Sequence, residues 1–139
     1  MAKATVKWVE GLQFVGETGS GHAIVLDGDA EFGGKNTGVR PTELLLIGLG
    51  GCSGMDIMSI LKKKRQKVHS FEARITADKT KTEPVRFEKF NVEYVVTGEN
   101  ISEEAVKRAV ELSMGKYCSV KLTLENKAEI SFSYKIIKD

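Results

Sequence analysis

Two side chains in this sequence could do redox or nucleophilic chemistry: Cys52, within LIGLGGCSGMD (46–56), and Cys118, within MGKYCSV (114–120). Cys52 stands among Gly48, Gly50, Gly51 and Gly54 inside what otherwise reads as an apolar helix. A glycine in a helix interior costs about 0.5–1 kcal/mol relative to alanine. Four together imply that a neighbouring backbone packs very close or that a substrate reaches the cysteine. Read alone, Cys52 is equally a small buried hydrophobe, since free cysteine is among the most buried residue types. Cys118 shifts that balance, because it follows the end of a predicted helix, where the backbone is irregular and accessible. Two thiols converging from distant segments permit thiolate attack, an oxidised intermediate and resolution to a disulfide, although spacing alone does not show that they meet.

Other uses of these atoms are less well supported. Cys52, Cys118, His22 and His69 are soft and borderline metal ligands, but no two have the close spacing of a zinc motif, so no metal is expected and the histidines read as strand or loop residues. Ser53 lacks the flanking pattern of a nucleophile elbow. Asp56, four residues after Cys52, shares its helix face, where a carboxylate opposes formation of a thiolate.

The elements that must position these residues follow from patterning. TVKWVEG, LQFVGET and HAIVLDG read as a meander of short strands broken at glycines, followed by a polar, glycine-rich loop, GDAEFGGKNTGVR. Such a loop is rarely kept in a small domain without use. From Pro41 the pattern becomes helical, with Glu43 early, apolar residues to Leu61 and lysines at the end. SFEARITAD and FEKFNVEYVVTG alternate as strands; SEEAVKRAVELSMGKY is a second helix with Ser102 as N-cap; AEISFSYKII closes as a strand. The order βββ-α-ββ-α-β predicts an α+β fold with the first helix central and its sheet antiparallel. One layer of sheet covers only one side of so apolar a helix, so a second copy of the chain is expected to cover the other.

With 139 residues, a single domain spanning 1–139 is expected. Composition is ordinary for a soluble protein, with 29% charged residues and a net charge of +2. No basic cluster with interleaved aromatics points to nucleic acid, and the run KKKRQK (62–67) complements the negative end of the preceding helix. The start lacks a leader pattern, and no apolar run is read as long enough to span a bilayer. A cytoplasmic location without membrane association is therefore expected, where both cysteines stay reduced.

The segment RPTELLLIGLGGCSGMDIMSILKKKRQ, followed much later by YCSV, resembles the osmotically inducible protein C (OsmC) family, which includes the organic hydroperoxide resistance proteins. The resemblance covers nearly the whole chain and implies an intertwined homodimer in which long central helices are wrapped by sheets. It implies thiol-dependent reduction of organic hydroperoxides in oxidative stress, and an external dithiol reductant with no bound cofactor. By the same resemblance Cys52 is the peroxidatic cysteine, Cys118 the resolving one, and Arg40 the cation favouring the Cys52 thiolate, with Glu43 to hold it. Glu43 lies nine residues before Cys52, on the opposite face of a straight helix. Either the glycines break the helix or the Arg40–Glu43 pair serves the other subunit. A non-catalytic stress-related dimer holding a small hydrophobic ligand in an interfacial pocket is the alternative.

Overall fold

Left-handed glycines at 11 (φ +54°) and 21 (φ +89°) turn the N-terminal chain back on itself twice, a conformation that glycine adopts without steric cost. The result is an antiparallel meander of β1 (Ala4–Glu10), β2 (Gln13–Thr18) and β3 (Ala23–Leu26). The structure, a computed structural model, describes residues 1–126 and 128–138, and divides into two compact units, Met1–Leu45 and Leu46–Asp139.

In the first unit only Gly16 and Asp27 are buried; β1 is exposed along its whole length, including Val6, Trp8 and Val9. The glycine-rich loop is organised around Asp27. Its carboxylate accepts hydrogen bonds from the backbone N–H groups of Gly28 (2.7 Å), Lys35 (3.2 Å) and Thr37 (3.1 Å) and from the Thr37 hydroxyl (2.6 Å). The Thr37 hydroxyl, helped by the three N–H groups and opposed by burial, holds the Asp27 carboxyl down at about 2. Because this folded value lies below the ordinary 3.8, the stabilisation is complete above that range and is lost as pH falls toward about 2. Asp27→Asn should therefore lower the urea midpoint at neutral pH and remove part of the wild type's decline between pH ~4 and ~2, read by fluorescence of Trp8.

The second unit is arranged about α1 (Glu43–Lys63), whose first residues belong to the N-terminal unit. At its start the Glu43 carboxylate accepts the Arg40 backbone N–H at 2.8 Å, the reciprocal half of a capping box. Its end is a Schellman closure, with Arg65 left-handed (φ +56°), Gln66 N–H bonded to Leu61 O and Arg65 N–H to Lys62 O. Gln66 Oε1 then accepts the N–H of Ser102, the residue that caps the next helix.

β4 (Lys67–Lys79) and β5 (Phe87–Glu99) pair antiparallel, and β6 (Glu129–Lys138) adds to β5 in parallel. The expectation of an antiparallel sheet is corrected at this strand. α2 (Glu103–Leu112), a π-helical turn (Ser113–Tyr117) and α3 (Ser119–Leu124) make a crossover that brings the chain back to the same end of the sheet. The chain at Cys118, expected to be irregular and accessible, is instead buried and leads straight into the short helix α3. The core lies between α1 (Leu49, Ile57, Leu61), the central strand β5 (Phe90, Val92, Tyr94, Val96) and α2 (Val106, Ala109, Val110).

α1 is covered on one side only. Ile47, Gly51, Met55 and Met58 form an exposed stripe beside Phe71, Ala73 and Ile75 of β4. By length and composition α1 would also suffice to cross a bilayer, which corrects the expectation that no run reaches that length. Its covered face nonetheless packs in a protein core.

The glycines divide by what a side chain would meet. A Cβ on Gly50 would fall 2.5 Å from Ile75 Cδ1, and one on Gly54 3.2 Å from Phe71 Cε1, so these two admit β4. Gly51 faces open space.

Candidate functional site

Cys52 lies mid-helix on α1, half-buried, while Cys118 is fully buried at the end of the π-helical turn. The i, i+4 spacing aligns Asp56 with Cys52, and the turn delivers Cys118 to the same place. The two sulfurs and a carboxylate oxygen of Asp56 all lie within 4.8 Å of one another.

Cys118 is held by local geometry. Its N–H donates to Ser113 O at 2.8 Å, closing the π turn, and its Sγ accepts the Lys121 N–H at 3.4 Å as N-cap of α3. Oxygen side chains make better N-caps than a sulfur, a weak acceptor, so capping does not by itself account for a cysteine here. Burial pushes the Cys118 thiol from 9.0 up to about 11, with neighbouring Cys52 adding to the shift and the Lys121 N–H opposing it. Cys118 is accordingly a thiol at neutral pH.

Polar groups close the site from beneath. Ser113 Oγ donates to Asp56 Oδ2 at 2.9 Å and lies 3.4 Å from the carbonyl oxygen of Ser53. Ser53 Oγ donates back along α1 to Leu49 O at 2.8 Å. Tyr94 donates to Met114 Sδ at 3.3 Å; burial first, then the charges of Cys118, Asp56 and Cys52, push its phenol up to about 12, against the Ser53 hydrogen bond. It too stays protonated.

Ser113 and Tyr94 were not singled out from sequence, yet a signal exists. Ser113 continues the apolar face Val106–Val110 of α2, and Tyr94 alternates with Phe90, Val92 and Val96 on the buried face of β5. A polar atom on an otherwise apolar face marks each of them. His69 lies exposed on β4, 3.9 Å from Glu99, and His22 lies 3.4 Å from the Ser20 hydroxyl.

Arg40 and Glu43 belong to the first unit, Cys52 and Cys118 to the second. The Arg40 guanidinium donates to Gly38 O (3.1 Å) and Asn36 Oδ1 (2.9 Å) and stands 3.7 Å from Asp29. Glu43 engages the Arg40 backbone.

This is an α+β protein with a paired-thiol site beside a central helix. It belongs to the OsmC family: the family model described as OsmC-like protein matches residues 34–133. Protein YhfA of Escherichia coli (strain K12) is 44% identical over 135 residues, covering 97% of this chain and 98% of YhfA. A hypothetical protein from Aquifex aeolicus VF5 has a crystal structure that superposes with a TM-score of 0.87 at 29% identity, covering 100% of this chain and 98% of that one. An organic hydroperoxide resistance protein from Legionella pneumophila shares the fold with a TM-score of 0.72 at 15% identity, covering 97% and 96% of the two chains.

Proposed function

We propose that the chain is a thiol-dependent peroxidase that reduces organic hydroperoxides, with Cys52 as nucleophile and Cys118 as resolving thiol. The observation that carries this is the sulfur of half-buried Cys52 within 4.8 Å of the sulfur of buried Cys118. Family membership and the hydroperoxide resistance protein among its structural relatives support it.

Cys52 thiolate attacks the distal oxygen of ROOH; the O–O bond breaks, RO⁻ takes a proton and leaves as ROH, and Cys52 becomes a sulfenic acid. Cys118 then attacks that sulfur, its proton leaves with the hydroxyl as water, and a disulfide forms. An external dithiol supplies two electrons and two protons to restore both thiols. Division of labour follows from burial: Cys118 is a protonated thiol shielded from bulk peroxide, whereas Cys52 is accessible. In this reading the Asp56 carboxylate, held by Ser113, relays the Cys118 proton to the departing hydroxyl as the disulfide forms.

Thiolate formation calls for a cation, because a free cysteine has a pKa of about 8.5. Arg40 is the only arginine ahead of Cys52, and Glu43 orders the backbone that carries it. Arg40→Met should slow iodoacetamide alkylation of Cys52 at neutral pH and peroxide attack together, by roughly tenfold for the loss of about 1.4 kcal/mol of charge stabilisation. An unchanged alkylation rate would transfer the role to another cation.

The working unit is a homodimer in the cytoplasm. The exposed apolar stripe on α1 and the scarcity of buried side chains in the first unit each call for cover that one chain does not supply. Neither nucleic acid nor membrane is assigned as a partner.

A further inference from the structure

We propose that the reduced chain binds one borderline-to-soft divalent metal ion, of the zinc class, through Cys52 Sγ, Cys118 Sγ and a carboxylate oxygen of Asp56. The trio of donor atoms already lies within 4.8 Å. Zn–S bonds of ~2.3 Å and Zn–O bonds of ~2.0–2.2 Å set tetrahedral donors ~3.3–3.8 Å apart, so closure requires at most ~1.5 Å of side-chain adjustment.

Electrostatics favour a cation here independently of geometry. Asp56 is half-buried and, among the described residues, makes no ion pair; the Ser113 hydroxyl is its hydrogen-bond donor. Two thiols and a half-buried carboxylate thus converge with no cationic side chain paired to that carboxylate among the described residues. A divalent ion would answer it, and coordination deprotonates a thiol outright.

Donor chemistry then selects the ion. Two sulfurs disfavour calcium and magnesium, which take oxygen ligands, and favour zinc and its softer neighbours. Ser113 supplies the outer-shell hydrogen bond that a ligating carboxylate normally has, at Oδ2. Cys52 is only partly buried, so an ion can reach the site, and water would complete its coordination. Metal and peroxide would compete for the same sulfur, but binding itself does not rest on the peroxidase reading.

The test is an anaerobic titration of fully reduced protein with Co(II), followed by displacement with Zn(II) in competition with a chromophoric chelator. One equivalent per chain should bind, with thiolate-to-cobalt charge-transfer absorption and the intense ligand-field bands of four-coordinate cobalt. Asp56→Asn, nearly isosteric, should weaken binding, and Ser113→Ala should cost about 10–100-fold; both should keep the wild-type circular dichroism. Cys52→Ala, and protein oxidised to the disulfide with diamide, should lose the charge-transfer band. Failure to bind at micromolar metal, a weak six-coordinate spectrum without thiolate absorption, or affinity indifferent to Asp56→Asn would each overturn the proposal.

Discussion

One equivalent of an organic hydroperoxide added to the reduced protein should be consumed, and peptide mapping should then find Cys52 joined to Cys118. Disulfide geometry requires their α-carbons to come within about 7 Å, and two sulfurs within 4.8 Å are consistent with that. Cys52→Ser should reduce peroxide consumption to the uncatalysed level and abolish the linkage, because Cys118 is buried and protonated. Cys118→Ser should instead trap a sulfenic acid on Cys52, detectable by dimedone labelling. That variant should fold, since a serine in the N-cap position accepts the Lys121 N–H that the sulfur now takes. If mapped thiols stay free while the peroxide persists, catalysis fails as an account, and a dimer holding a hydrophobic ligand becomes the better one.

How much of this was legible in the sequence differs by element. Strand and helix order could be read because alternation and helical periodicity are local, and the two cysteines because thiols are rare. The parallel placement of β6 is not local: it depends on the crossover through α2, the π turn and α3, and the apolar alternation of ISFSYKII is the same for either direction. The four glycines read as one feature but serve two ends. Gly48, Gly50 and Gly54 face Val120, Ile75 and Phe71 of their own chain, while a Cβ on Gly51 would meet open space. Asp56 was visible by its spacing from Cys52, but its anchoring by Ser113 depends on packing between α1 and the π turn. Pairing of Arg40 with Glu43 came from resemblance, and in the fold the carboxylate holds the backbone while Asn36, Gly38 and Asp29 surround the guanidinium.

The stripe of Ile47, Gly51, Met55 and Met58 makes the second large prediction. Light scattering at low micromolar concentration should give twice the 15.3 kDa chain mass, and Met55→Lys should return it to a monomer. Met55 is 77% exposed in the single chain. Were the protein a monomer, lysine there would change stability by no more than about 0.5 kcal/mol. In a two-fold interface the same change places one charge from each copy in an apolar seam. An unpaired buried ion costs several kcal/mol, so the dissociation constant should rise about 10³-fold or more at ~1.4 kcal/mol per tenfold. Gly51 gives the matching steric test. Within an isolated helix, alanine at this position would be more stable by about 0.5–1 kcal/mol, and its Cβ would enter open space. Against a closely packed partner, Gly51→Leu should instead cost about 1–3 kcal/mol by overpacking, read as weaker association with undiminished helix content. A wild-type mass of one chain, or a Met55→Lys protein that remains a dimer, would remove this face of α1 from the interface and leave its exposed methionines unexplained.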